Sequence, residues 1–292
     1  MQTTLATTRT TGRPASHKGT RLNDSCKYIL LMILVILFIS PFAWLMVTAL
    51  KTTSELAAFP IHFLPVQAQW DNFVQALTMI NYAAYAANSL ILSSIYSVLT
   101  TFTSALVGFG FARLKGKGKR TLFIIMLSTL MLPQILTVIP TYVLFARLGL
   151  IDTYWPWVLW GLGSSPYLAF LFRQFFSSIP SELEEAAILD GCGYWRIFWQ
   201  VFMPLSWPVI AAALIFSFNW VWGDYITPAL FLSQDNTTLS VAMSAGYLDP
   251  HGNGLINIMA AGSVIYVLPV AAFFFFAQRA FVRGIVTSGL KG

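Results

Sequence analysis

The chain has 292 residues, of which 57% are hydrophobic and only 10% charged. About a quarter of a soluble domain is charged, so this composition excludes an ordinary globular enzyme and points to a polytopic membrane protein. The net charge of +6 does not signal a nucleic-acid partner, because no soluble domain is present to carry a basic face. Two cysteines, Cys26 and Cys192, build no disulfide framework.

Residues 1–27 are rich in Thr, Gly, Arg and Ser and read as a disordered tail. Six stretches can then cross a bilayer as helices: Tyr28 to Leu50, Tyr85 to Phe111, Leu122 to Phe145, Tyr154 to Phe172, Trp207 to Leu230 and Ile256 to Ala277. Each approaches or exceeds the ~20 residues needed to span the hydrocarbon core. The first is longer than a signal-peptide core and lacks a small-residue cleavage site, so it is expected to be retained. The expected fold is therefore an all-α polytopic membrane protein with six transmembrane helices within residues 28–277. An external segment covers 51–84, a polar loop covers 181–204, and a C-terminal tail covers 278–292.

Of the 17 Lys and Arg residues, all but Lys51 and Arg147 fall in the two tails or in the loops after spans two and four. The positive-inside rule then places both termini, and the loop after span four, in the cytoplasm. That loop begins with Ser181, positioned to cap a helix with Glu184 three residues on, as in a capping box. Leu183, Ala187 and Asp190 share one helical face, with Ala186 on its edge. Gly191 and Gly193 interrupt the helix, and a second amphipathic segment at 194–202 leads to Pro204. A helix, a tight turn and a second helix make a compact knob. Taken without any motif, the same stretch also reads as an interfacial helix anchored by Trp195 and Trp199.

Glu185, Ala186, Ala187, Asp190, Gly191 and Pro204 match in register the EAA loop of bacterial ATP-binding-cassette import permeases. Cys192 and Met203 depart from the usual Ala and Leu of that pattern. The resemblance extends along the chain through Asn88-Ser89-Leu90, GFGFARLKGKGKR at 108–120, MLPQILTVIPTYVLFARLGLIDT at 131–153 and the terminal SGLKG. The chain thus resembles the second transmembrane subunit of carbohydrate importers of the maltose-permease type, in the bacterial cytoplasmic (inner) membrane. That resemblance implies a partner set: a second permease subunit, an ATPase dimer that binds ATP and Mg, and an extracytoplasmic solute-binding protein. It also implies that Glu185 is the polar contact to the ATPase, Ala186 and Ala187 the close-packed face, and Gly191 the turn. Gly289, Lys291 and Gly292 would form a tail reaching the ATPase interface.

Within the bilayer, Asp224 is the carboxylate inside an expected span, so it should face a cavity, the bundle interior or the membrane boundary. Asn219, Trp222 and Asp224 on span five, and Gln134 between Pro133 and Pro140 on span three, are the candidate substrate path. Asp224 equally serves to hold helices together, and Gln134 equally serves as an interhelical bond. The chain carries no phosphate-binding loop, because the glycines of KGKGK lack the strand and helix that motif needs. His17, His62 and His251 have no metal-ligand spacing. No catalytic residue, metal or cofactor is expected in this chain. The function expected is sugar or oligosaccharide import. The alternatives are the same machine carrying glycerol phosphate, a polyamine or an osmolyte, and an ATP-independent secondary carrier or membrane scaffold.

Overall fold

The computed structural model describes residues 18–289, with side chains over 24–275. Among these residues every element is helical apart from an isolated antiparallel bridge between Leu248 and Gly254. The first helix, α1 (Lys18–Ala49), begins ahead of the expected span and takes in the last residues of the expected tail. Its apolar side chains from Tyr28 to Ile39 are exposed on every side, and its main neighbour is the last helix. The short helices α2 (Thr53–Ala57) and α3 (Asp71–Thr78) form a small cap over the bundle in the segment expected to be external. Asn72 fastens that cap: its Nδ2 donates to the carbonyls of Ala49 and Lys51 at 2.8 and 2.9 Å, and its Oδ1 accepts from Asn257 Nδ2 at 3.2 Å.

Helix α4 (Tyr82–Arg113) is the central rod, 32 residues without a break. Its buried face is small and weakly polar, with Ser89, Ser93, Ser97, Thr101, Ser104 and Gly108 at near-fourfold spacing. Lipid tails are as apolar as leucine, so membrane helices associate by close packing, and small residues let backbones approach. At Gly108 the approach is complete: an added Cβ would stand 2.5 Å from Phe172 Cβ and 3.0 Å from the Ala169 carbonyl oxygen.

Three expected spans are broken. The third divides into α5 (Lys119–Ser128), a 3-10 turn (Thr129–Met131) and α6 (Gln134–Arg147), bent by 98°. Pro133 has no N–H to donate and holds Leu132 in extended backbone, which ends the first half. The fourth divides into α7 (Trp155–Leu162) and α8 (Pro166–Ser178), because Pro166 opens a new helix and holds Ser165 extended. Ser164 between them has φ +63°. After α8 come α9 (Ser181–Leu189) and α10 (Tyr194–Ile197), which runs through a π turn (Phe198–Phe202) into α11 (Met203–Leu205). The chain then bends by 82° into α12 (Trp207–Trp222). Span five was expected to reach residue 230, but α12 stops at Trp222 with Gly223 as its cap, and α13 (Ile226–Phe231) starts separately. Helices α14 (Leu239–Gly246) and α15 (Ile256–Gly289) complete the chain. Among the described residues three helices are long and apolar enough to cross a membrane, or five if each bent pair counts as one span.

Candidate functional site

The polar loop folds into the expected knob, but with a different internal logic. Pro180, not Ser181, holds the N-cap position of α9, and no side chain caps that end. The expected capping box is therefore absent. Ser181 is already helical, and Glu184 turns away to pair with Arg113 of α4 at 3.4 Å. The far end of α9 closes as the glycines require. Gly191 has φ +79°, its N–H donates to Ile188 O, and Cys192 N–H donates to Ala187 O, both at 2.9 Å. These two bonds make a Schellman motif, which satisfies carbonyls that a helix end otherwise leaves free.

Aromatic packing seats the knob on the bundle. Phe198 and Phe202 of the π turn are buried against Phe109 of α4 and Phe176 of α8, with Phe109–Phe202 ring centroids 5.0 Å apart. Ala187 is half-buried on this same cluster and faces the chain's own core, so it does not share an outward face with Ala186. Glu185, Ala186, Asp190 and Gly191 are exposed, as is Leu189, the most exposed of the knob's large apolar side chains at 88%. Glu182, Glu185, Ala186 and Leu189 follow the i, i+3, i+4, i+7 spacing of a single helical stripe. Sequence reasoning missed Leu189. An apolar residue in the same stripe as two glutamates was the available signal.

The second candidate site is a cavity of about 750 Å³, within the range of small-molecule sites. Gln134 of α6, Asn219 of α12 and Asp224 beyond it all line it. They converge from separate parts of the sequence. Gln134 and Asn219 are exposed and Asp224 is half-buried, so the cavity opens on the flank of the bundle. Its aromatic walls include Tyr96, Trp157, Trp160, Tyr167 and Trp220, and Ser164 and Ser165 bring the break between α7 and α8 to its edge. Asp224 is shared between a local bond and the cavity. Its Oδ1 accepts from Thr227 N–H at 3.2 Å and fixes the start of α13, while its carboxylate remains in the cavity lining.

Trp222 is outside the lining. It stacks between Phe218 and Tyr266, and its Nε1 donates to Tyr266 O at 3.3 Å, which binds α12 to α15. Helix spacing alone would not separate them, since Trp222 stands three residues on from Asn219 and only about 60° from it around the helix. Packing against α15 draws Trp222 inward, whereas Trp220 and Asn219 are both exposed and both line the cavity. Of the proposed C-terminal contact, Gly289 is the last residue of α15, and Lys291 and Gly292 lie outside the described residues. No group of three or more His, Cys, Asp or Glu side chains among the described residues is arranged to hold a metal ion.

An all-helical bundle of membrane-type spans, with a protruding two-helix knob and a flank-open polar and aromatic cavity, has the form of a transport permease. The family model of the binding-protein-dependent transport system inner membrane component matches residues 104–287, and the chain belongs to that family. It is thus a permease component of a transport system and not an enzyme. The chain is 32% identical to the arabinooligosaccharides transport system permease protein AraQ of Bacillus subtilis (strain 168), over 89% of this chain and 93% of AraQ. It is 30% identical to the maltodextrin transport system permease protein MdxG of the same organism, over 93% of this chain and 97% of MdxG. Among solved structures, a chain of a bacterial ABC transporter involved in the import of the acidic polysaccharide alginate superposes with a TM-score of 0.73. The identity there is 20%, covering 92% of this chain and all of that one.

Proposed function

We propose that the chain is one of two transmembrane subunits of an ATP-driven importer of sugars or oligosaccharides. An extracytoplasmic binding protein delivers the solute to the outer mouth, and an ATPase dimer on the cytoplasmic side binds ATP and Mg. The knob inserts into the ATPase, so closure of that dimer switches the permease between inward-facing and outward-facing forms. In this reading α1, α4, the α5/α6 pair, the α7/α8 pair, α12 with its approach, and α15 are the six spans, and both termini are cytoplasmic.

The observation that carries the reading is the knob: a helix closed by the Gly191 Schellman turn, seated on buried aromatics, and presenting Glu185, Ala186 and Leu189 outward. A helix lying in the membrane interface carries Lys and Arg on its polar face and keeps its apolar residues on the other, whereas this outward stripe combines two carboxylates with an exposed leucine. Relatives named for arabinooligosaccharide and maltodextrin transport support a saccharide cargo. The cavity chemistry agrees, since aromatic faces and neutral hydrogen-bonding groups suit sugar rings and hydroxyls, and its lining holds a carboxylate and no basic side chain. An anionic solute such as glycerol phosphate would need the opposite charge. The flank opening of the cavity is where a second permease would complete the path.

The test is purification of the tagged chain from its native membrane in mild detergent, with every stoichiometric partner identified by mass spectrometry. An ATPase and a second permease are expected, with a solute-binding protein in the same assembly. A solitary chain from a preparation that still transports would overturn the proposal in favour of a secondary carrier.

A further inference from the structure

Arg113 ends α4, and in the sequence it counts only as one of the basic residues that set topology. In the structure its side chain is 11% exposed and makes contacts in three directions. Nη1 lies 3.4 Å from Glu184 Oε2 on α9. Nη2 donates to the carbonyl of Phe176, at 2.6 Å, and to that of Ile179 at the end of α8. The guanidinium carbon is 4.9 Å from the ring centroid of Phe202, in the turn that leaves the knob for α12. The segment entering the knob, the knob helix itself and the segment leaving it are therefore all held by one side chain from a fourth element.

The chemistry suits arginine alone. Its planar fork offers several fixed donors, keeps its charge and stacks on an aromatic face, whereas lysine is a point charge. The carbonyls it meets close α8, where helix carbonyls lack partners and the dipole is negative. Glu184 is 13% exposed, so removing either partner strands a mostly buried charge.

What lies further back along α4 gives the clamp a use. Ser104, nine residues before Arg113 and about 14 Å along the helix, accepts Ser165 N–H at 3.0 Å at the α7/α8 break on the cavity edge. Tyr96, further along the same unbroken helix, lines the cavity. We propose that Arg113 is the positioning residue that makes α4 move with the knob, so that displacement of the knob reaches the cavity wall. The proposal rests on the knob docking an ATPase, and it supplies a physical link of packed and hydrogen-bonded groups between the two sites.

The test uses the complete transporter in proteoliposomes, measuring solute uptake and ATP hydrolysis in the same sample for wild type, Arg113→Gln, Arg113→Lys and Glu184→Gln. The expected result is a fall of about tenfold or more in solute moved per ATP for Arg113→Gln, and a smaller fall for Glu184→Gln. Arg113→Lys is expected to recover only part of the loss, and Arg113→Gln with Glu184→Gln is expected to be no worse than Arg113→Gln alone. An unchanged ratio, or uptake and hydrolysis falling together in proportion, marks Arg113 as a purely structural residue and overturns the proposal. If Arg113→Gln does not assemble, the Glu184→Gln ratio decides by itself. Gly191→Pro serves as the control on the premise. If it keeps normal ATPase association and coupling, the docking reading has failed; if it uncouples while the Arg113 and Glu184 variants do not, only the clamp has failed.

Discussion

Gly191→Pro attacks the knob at the point where backbone geometry leaves least choice. The residue sits at φ +79°, while proline fixes φ near −65°. The substitution also deletes the N–H that donates to Ile188 O at 2.9 Å and displaces the neighbouring Cys192 N–H from Ala187 O. At about 1 kcal/mol net for each hydrogen bond, plus about 1–2 kcal/mol for a backbone that can no longer hold the left-handed turn, the native knob loses about 3 kcal/mol or more. That is a factor of about 100 in the population of the docking-competent turn. Gly191→Ala separates conformation from crowding. Open space surrounds the position an added Cβ would take, so alanine costs only the left-handed penalty of about 1–2 kcal/mol. The assay is co-purification of the ATPase together with substrate-stimulated ATP hydrolysis, after membrane insertion has been checked. Proline is expected to abolish stimulation with insertion intact, and alanine to weaken it by about 5- to 30-fold. A proline variant normal in both measurements, or an alanine variant as damaged as proline, would refute the argument.

Asn219→Leu removes a polar group from the cavity wall and should raise the KM for uptake while ATPase association persists; unchanged uptake kinetics take Asn219 off the path. Trp222→Ala should instead lower the Tm of the detergent-solubilised protein, by the equivalent of about 3–5 kcal/mol for a buried aromatic. It leaves the cavity lining intact, so a variant with normal Tm and altered solute preference contradicts the stacking on Tyr266. Gly108→Val must part α4 from α8, because its Cβ would meet Phe172 Cβ at 2.5 Å. An overpacking cost of about 1–3 kcal/mol should appear as a lower Tm, and an unaffected Tm contradicts the close approach. In the loop before α7, Ser233 N–H, its hydroxyl and the Asn236 amide hold the Asp152 carboxyl below its ordinary value. A depressed folded-state pKa contributes stability above the unfolded value and loses it as pH falls through the folded one. The Tm difference between wild type and Asp152→Asn should therefore be full at neutral pH, begin to shrink near the ordinary carboxyl value of about 4, and be lost as pH falls further through the lowered folded-state value. A pH-independent difference sinks this assignment.

The knob was legible because its determinants are local. A proline, an acidic first turn and a glycine at a fixed offset specify a helix and its stop within about a dozen residues. What sequence could not show is which face of α9 turns inward. That depends on Arg113, 71 positions away from Glu184 along the chain. The same limit explains the lost capping box, since a buried guanidinium is a stronger partner for Glu184 than a free backbone N–H. In the membrane part, composition marked apolar stretches correctly but not their continuity. Pro133 and Pro166 were visible, yet a proline inside an apolar run is compatible with a kinked span as well as a break, and packing decides between them. Trp222 was grouped with Asn219, three residues away and near it around the helix, and only the packing of Trp222 on Tyr266 of α15 takes it out of the cavity lining.

The breaks themselves explain how a bundle with so few charges can carry a polar cavity. Irregular backbone at membrane depth survives only where protein or water-filled space satisfies its polar groups. Each break here meets that condition at the cavity: Gln134 follows the one at Pro133, Ser164 and Ser165 form the second, and Asp224 follows the end of α12. The freed groups find partners, Ser165 N–H on Ser104 Oγ and Thr227 N–H on the Asp224 carboxylate. Polar lining thus comes from interrupted helices as much as from polar residue types, which is why few such residues suffice. α4 meets the broken pair α7 and α8 along its length without a break of its own. An element that must pass a displacement from the knob to the cavity has to be the stiff one, and α4 keeps its hydrogen-bond ladder unbroken from Tyr82 to Arg113.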